Sequence, residues 1–270
     1  MNIVVTGHLG FIGRNLKAEL EKKHQVYGIE VDAYDDADWQ FTLKNKLDSI
    51  KPTAIFHVGA ISNTLHTDVE TIMKLNWETT TVFSDYCKAV NIPLIYSSTA
   101  AIYGDGEGKK NLYAWTKYAG EKYVIANNQI ALRYFNVYGP GEDKKKRMAS
   151  VAYQAFLHDI HGTKIKLFKG EPKRDFVYVK DVVDANIFAL KNYFKLTKKQ
   201  YDVGVGKAVT FEYLMDIMNL KYAYQDISAI PNNYQYHTQS NPENWMKGWK
   251  PKYDVEKGLN EYKQHLWNTI

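Results

Sequence analysis

"MNIVVTGHLGFIG", residues 1–13, runs from an apolar Val/Ile stretch into three glycines, Gly7, Gly10 and Gly13, at three-residue spacing. "RNLKAELEKK" (14–23) follows with the apolar spacing of an amphipathic helix. Glycines between a strand and a helix let the backbone turn tightly and approach a pyrophosphate, whose charge meets free N–H groups at the helix N-terminus. The spacing is G-x-x-G-x-x-G and not the generic G-x-G-x-x-G, so the position directly after the first strand carries the inference.

The same unit recurs downstream. "QVYGIEV" (25–31), "AIFHVGA" (54–60), "PLIYSST" (93–99), "IALRYFNVYG" (130–139) and "YDVGVG" (201–206) read as strands, with helices over about 70–90 and 112–127. This alternation predicts an α/β chain: a Rossmann-type parallel sheet with helices on both faces, plus a smaller substrate-binding lobe. After Gly139-Pro140 the pattern becomes irregular. "MASVAYQAFLHDI" (148–160) is helical, "IKLF" (165–168) is a short strand, and "RDFVYVKDVVDANIFALK" (174–191) is strand then helix. The tail places Pro231, Pro242, Trp245, Trp249 and Pro251 in loops and caps. The expected division is a dinucleotide-binding domain from 1–140 plus about 176–205, and a substrate-binding lobe from about 141–175 plus 206–270.

The 270 residues, 45% hydrophobic and 24% charged, suffice to bury roughly three quarters of the unfolded surface. The single cysteine, Cys87, excludes an internal disulfide and suits a reducing, cytoplasmic setting. The apolar N-terminus lacks a basic flank, no run reaches a membrane span, and the net charge of +5 is mild. Lysine clusters at 144–147 and 195–199 are read as solvated, so neither nucleic acid nor membrane is expected as a partner.

An acid that holds the adenosine ribose belongs at the end of the second strand. Glu30 is favoured and Asp32 stands second. Between 31 and 43 there is no lysine or arginine and there are four aspartates, which would repel a 2′-phosphate; NAD is expected over NADP. Asp38 either accepts from the adenine amino group or is a solvated loop acid.

"YSST" ends a strand at Ser97, Ser98 and Thr99, and "YAWTK" sets Tyr113 and Lys117 one helical turn apart on one face. A nearby ammonium, helped by a cationic nicotinamide, stabilises the phenolate and lowers its pKa. The Thr99 hydroxyl would hydrogen-bond the substrate oxygen whose proton is in transit.

The glycine turn, Thr99 and Tyr113-x-x-x-Lys117 together resemble the extended short-chain dehydrogenase/reductases. "AIFHVGAISNT", "YSSTAAIYG", "RYFNVYGPGE…MASVAYQ", "KLFKGEPKRDFVYVKDVVDAN" and "YQYHTQ" are similar, across nearly the whole chain, to the ADP-glyceromanno-heptose 6-epimerases. That resemblance implies inversion of C6″ of ADP-D-glycero-D-manno-heptose through a transient ketone, with a tightly bound cofactor, NAD or NADP, regenerated each cycle. It places the proton-shuttling pair at Tyr113 and Lys117, the hydroxyl at Thr99 and a second acid/base at Lys145, with Lys144 or Lys146 taking that role if the loop shifts by one residue. Phe11, Ile12, Val58, Gly59, Ala60, Ile61 and Val137 would line the cofactor and Asn76 would brace it. Ser62, Asn136, Arg147, Gln154, Phe168 to Glu171, Arg174 and Tyr234 would hold the nucleotide sugar. Arg174 alternatively pairs with Asp175 or Asp181, and Tyr234 alternatively packs. No metal is implied, and the resemblance allows a homo-oligomer.

The chain departs from that family in its short "DGEGKK" segment (105–110), its acidic stretch at 30–38 and the larger side chain of Arg147. These leave the hydride chemistry intact and put the sugar and the cofactor choice in question. A dehydratase is disfavoured because Ala100 and Ala101 follow Thr99, where a dehydratase usually carries an Asp-Glu pair. A non-catalytic dinucleotide-binding module is disfavoured because Thr99, Tyr113 and Lys117 are all present. Another NAD(P)-dependent nucleotide-sugar epimerase or reductase remains the alternative.

Overall fold

Ile3 and Val5 bury one face of the first strand and Val4 the other, which sandwiches the N-terminus between two helical layers. The computed structural model describes residues 1–30, 38–104, 111–196, 199–226 and 234–269. Strand β1 (Asn2–Thr6) pairs with β2 (Gln25–Ile29) on one side and β3 (Ala54–His57) on the other. Beyond β3 come β4 (Leu94–Thr99), β5 (Ile130–Tyr134) and β9 (Gln200–Val203), every pairing parallel. The order β2-β1-β3-β4-β5-β9 reverses direction between β1 and β3, and the crevice at the carboxyl ends of those two strands is where such sheets take ligands.

Helices α1 (Phe11–Glu21) and α7 (Val179–Lys191) cover one face through Leu16, Leu20, Val182 and Ala189. Helices α2 (Trp39–Ile50), α4 (Thr79–Ala89) and α5 (Leu112–Ala126) cover the other through Leu43, Leu47, Phe83, Cys87 and Val124. Among the described residues, no helix is long and apolar enough to cross a membrane.

Two elements differ from the sequence expectation. The helix over 70–90 is built of α3 (Val69–Met73), a π-helical turn (Lys74–Glu78) and α4. "IALRYFNVYG" is not one strand. It breaks at Phe135, because Tyr134 and Phe135 are spent in the main core while Tyr138 belongs to a second one. The continuation, β6 (Asn136–Tyr138), pairs with β8 (Lys173–Tyr178) in a smaller sheet with β10 (Ala208–Thr210) and β12 (His237–Thr238). Helices α6 (Val151–Ile160), α8 (Phe211–Met218) and α9 (Val255–Trp267) pack on it around Phe176, Tyr178, Met215, Leu259 and Tyr262. A short parallel pair, β7 (Ile165–Leu167) with β11 (Tyr222–Tyr224), completes this lobe.

A buried ion pair ties α5 to the sheet. Glu121, fully buried, accepts from Arg133 Nε at 2.9 Å and Nη2 at 2.5 Å, and from the Ser98 hydroxyl at 2.7 Å. Arg133 also donates to the Tyr103 hydroxyl, which donates to Asp202. Arg133→Met leaves the Glu121 charge without its counter-ion, and should cost about 3–5 kcal/mol of unfolding free energy. Urea titration followed by circular dichroism measures it; a loss below about 1 kcal/mol would show that Glu121 is not held by Arg133.

Candidate active site

The turn after β1 is shaped so that only glycine fits. Gly7 has φ +63°, and a Cβ there would stand 2.6 Å from the Gly59 Cα at the end of β3. A Cβ on Gly13 would stand 2.0 Å from the Gly7 carbonyl oxygen. Helix α1 then starts with extended Gly10 in the capping position and no side-chain cap, so the first-turn N–H groups have no intrahelical partner. They face a cavity of about 500 Å³ lined by Gly7, Gly10, Phe11, Ile12, Gly13, Glu30, Val58, Gly59, Ala60, Ile61, Ser62, Tyr113 and Lys117. This cradle, with a helix N-terminus and an acid at the end of β2, has the shape and charge a dinucleotide needs. The Glu30 carboxylate accepts the Leu9 N–H at 2.8 Å. Asp32 lies outside the described residues. Asp38 is exposed at the N-terminus of α2 and is not part of the lining.

Asn111 caps α5 by accepting from the Ala114 N–H at 2.9 Å, which fixes the first turn bearing Tyr113. The Thr99 hydroxyl, at the end of β4, acts to stabilise the Tyr113 phenolate. Lys117 is 2% exposed, with its Nζ 4.1 Å from the centre of the Tyr96 ring. Burial brings its pKa down to about 7, and the Coulombic pull of Glu121 opposes that shift. In the chain alone, burial penalises the phenolate by more than the Thr99 hydroxyl relieves, and the pKa of Tyr113 is raised. The site thus presents a protonated phenol beside an amine close to half-ionised at neutral pH.

Asn76, placed by the π-helical turn, accepts the Ile61 N–H at 2.8 Å and donates to the Ile61 carbonyl and the Thr116 hydroxyl. Thr116 donates in turn to the Tyr113 carbonyl at 2.9 Å. Behind it runs a chain that sequence inspection missed. The Gly59 N–H donates to Thr6, whose hydroxyl is 2.8 Å from His57 Nδ1; His57 Nε2 is 3.0 Å from the Thr80 hydroxyl, which donates to the Asn76 carbonyl. The one local signal was His57 inside an otherwise apolar strand.

Lys144 and Lys145 both reach the cavity. Lys144 is exposed; Lys145 is half-buried, with Nζ 5.5 Å from the Phe11 ring centre and a pKa lowered by burial. The side chain of Lys146 lies outside the described residues. Glu142, fully buried, clasps this loop by accepting from the N–H groups of Gly139 and Ser150 and from the Ser150 hydroxyl.

The remaining predicted residues lie apart from this cavity. Asn136 is exposed and Val137 half-buried on β6. Gln154 and Phe168 line a second cavity of about 410 Å³, with His158, Lys166, Phe211 and Gln225. Phe168 meets Tyr234 edge-on at 4.8 Å, and the Arg174 guanidinium lies 5.2 Å over the Tyr234 ring while donating to the Gln235 and Lys173 carbonyls. Tyr234 packs here, yet as the floor beneath Arg174. Asp175 and Asp181 are occupied by backbone N–H groups of 205, 206, 240, 252 and 253. Arg147 is exposed, and its carbonyl accepts from Gln154. Among the described residues there is no group of three or more His, Cys, Asp or Glu side chains able to hold a metal.

Residues 3–204 match the NAD dependent epimerase/dehydratase family. The chain is 32% identical to the ADP-L-glycero-D-manno-heptose-6-epimerase of Brachyspira hyodysenteriae, over 98% of this chain and 97% of that protein. It superposes on the crystal structure of the Helicobacter pylori ADP-L-glycero-D-manno-heptose-6-epimerase with a TM-score of 0.82 at 27% identity, covering 98% and 96% of the two chains. The UDP-N-acetylglucosamine 4-epimerase of Methanobrevibacter ruminantium shares the fold, with a TM-score of 0.85 at 23% identity over 100% and 99%.

The folded pKa of Lys117, about 7, lies below the ordinary 10.5, so between those values the folded chain binds fewer protons than the unfolded one. Stability therefore rises with pH through that window, and the cost of the buried charge is present in full only below about pH 7. Lys117→Met should raise the Tm of the cofactor-free protein at about pH 6, with the gain shrinking toward about pH 10. A gain that stays constant across that range would mean the lysine is not buried as a charge.

Proposed function

The chain belongs to the NAD-dependent epimerase/dehydratase family, and on that premise we propose that it inverts C6″ of ADP-D-glycero-D-manno-heptose. The observation that carries this is a single cavity offering Tyr113 backed by Lys117 from α5 and, from a different element, Lys145. An epimerase must exchange a proton with the substrate oxygen on both sides of the reacting carbon, because that oxygen points two ways in the course of inversion. Tyr113 exchanges it on one side, with Thr99 holding the oxygen, and Lys145 does so on the other. When bound, the nicotinamide accepts the hydride and returns it.

In this proposal Lys117 supplies the charge that lets Tyr113 ionise, offsetting the desolvation that raises its pKa. Asn76 holds the Ile61 backbone at the cofactor edge, and Ser62 follows it in the lining. Arg174, floored by Tyr234, grips the diphosphate, while Phe168, Gln154, Arg147 and Asn136 border the nucleotide sugar. NAD is the favoured cofactor over NADP, supported by Glu30 at the cavity and by the absence of any lysine or arginine from 31 to 43. The buried thiol of Cys87 suits a cytoplasmic setting. A related ADP-, GDP- or UDP-sugar is the second reading, favoured by the six-residue segment between Gly104 and Asn111, where the resembling family is longer.

Proton NMR of ADP-D-glycero-D-manno-heptose with the purified protein should show an equilibrium mixture of the two C6″ epimers without net cofactor reduction. Protein that binds the dinucleotide and leaves the sugar unchanged would redirect the proposal to the other nucleotide sugars. Tyr113→Phe should lower kcat by about a thousandfold or more, with NAD affinity held within about threefold. Undiminished turnover in that variant would remove Tyr113 from the mechanism.

A further inference from the structure

Tyr96 lies within β4, three residues before Thr99, and is fully buried. It meets Lys117 twice. The Lys117 Nζ stands over its ring, 4.1 Å from the centre, and its hydroxyl donates to the Lys117 carbonyl at 3.4 Å. Room for the phenol comes from Gly120, three residues further along α5. A Cβ there would stand 2.5 Å from the Tyr96 hydroxyl oxygen and 3.0 Å from Cζ. Glycine is disfavoured inside a helix, so α5 gives up some helix stability to admit this ring.

The acid nearest in sequence does not take the ammonium. Glu121 accepts from Arg133 and from the Ser98 hydroxyl, and among the described residues no ion pair joins it to Lys117. Burial holds the Tyr96 hydroxyl well above the ordinary phenol range, so the ring is neutral and attracts the cation through its π face. The other titratable groups around Lys117 are Tyr113 and Glu121 on α5, His57 on β3, and Glu30, Lys144 and Lys145 in the cavity lining. All of them are kept when only residue 96 is changed.

We infer that Tyr96 is a positioning residue for the reaction: its ring seats the Lys117 ammonium and its hydroxyl holds the Lys117 backbone, so one side chain of β4 fixes where the charge stands beside Tyr113. The strand that ends in Thr99 thereby also places the lysine that serves the phenol. An aromatic face suits that task. In a desolvated site it stabilises the cation, yet it offers no carboxylate lone pair to trap a proton. Without the ring, Glu121 alone opposes burial at the amine, and less of the lysine is charged at neutral pH.

The seat stands on its own contacts, while its part in catalysis rests on the proposed reaction, so the test reads the two separately. Carbon-13 NMR of the full chain labelled at lysine Cε, without added cofactor, follows the titration of Lys117, identified by the signal that Lys117→Met removes. Tyr96→Phe keeps the ring and should titrate within about 0.3 pH unit of wild type. Phenylalanines with one, two and three ring fluorines at position 96 keep the shape and draw electron density off the face. They should lower the Lys117 pKa stepwise, by about one pH unit at the third fluorine, and Tyr96→Leu should lower it at least as far. A pKa that stays level across the fluorinated series, in protein with wild-type circular dichroism, overturns the seat. With NAD and ADP-D-glycero-D-manno-heptose, kcat at about pH 7 should fall in step, by about fivefold at the third fluorine. A pKa that falls while kcat holds overturns the positioning role. A wild-type chain that inverts no heptose fails the proposed function alone, and the NMR series, which uses no sugar, still decides the seat.

Discussion

A histidine that must stay neutral joins the parts of the site. Thr80 spends its hydroxyl proton on the Asn76 carbonyl, so it can only accept from His57 Nε2–H. The proton is therefore on Nε2, and Nδ1 accepts from Thr6, whose own oxygen is taken by the Gly59 N–H. Each group in this row has one role left, and an imidazolium would set two donors against each other at Thr6. Burial enforces the neutral form by pushing the His57 pKa down to about 3. The result is a rigid strut from the glycine that meets the phosphate turn, through β3 and the π-helical turn, to the backbone of Tyr113. The glycine turn and the backbone of Tyr113 cannot move independently.

The second lobe is fastened by carboxylates in the same spirit. Its tail has little regular structure to pair with, and buried backbone N–H groups need acceptors. Asp175 takes the N–H groups of Val205, Gly206 and Ser240, together with the Ser240 hydroxyl; Asp181 takes those of Lys252 and Tyr253; Asp202 takes that of Asn241. Burial raises the pKa of all three, and the hydrogen bonds they accept pull the other way. Trp249 and Lys252 add contacts to Asp184, which straps the segment before α9 onto α7. The acids of "RDFVYVKDVVDAN" are thus structural. The neighbouring guanidinium of Arg174 is turned to Gln235 and Tyr234, toward the second cavity's Phe168.

What could be read from sequence was whatever repeats locally. Strand alternation, the glycine turn and the i, i+4 pair each depend on neighbours within a few residues, so the Rossmann-type sheet and the cavity's near wall were legible. What was missed depends on contacts between distant segments. Glu121 sits one turn beyond Lys117 on the same helix face, yet nothing in "YAWTKYAGE" says that Arg133 will meet it. The break at Phe135 is set by two cores competing for adjacent aromatics. The desolvation that raises the Tyr113 pKa in the chain alone was not legible for the same reason: it depends on everything packed around the ring.

Two of the lysines that line the cavity, Lys117 and Lys145, share a design. Each has a buried carboxylate nearby in sequence, Glu121 four residues after Lys117 and Glu142 three before Lys145, and each carboxylate raises its lysine's pKa against burial. In both cases the direct hydrogen bonds to the acid come from elsewhere: Arg133 and Ser98 for Glu121, Gly139 and Ser150 for Glu142. A tight ion pair would trap the proton on the amine, as opposite charges in contact favour the charged form by several pKa units. A lysine left to burial alone would lose its proton and with it any electrostatic hold on an oxyanion. Placing the acid close but spending its lone pairs on other donors leaves a damped field at the lysine. At Lys117 the balance falls at about 7, and at Lys145 it falls below the ordinary lysine value.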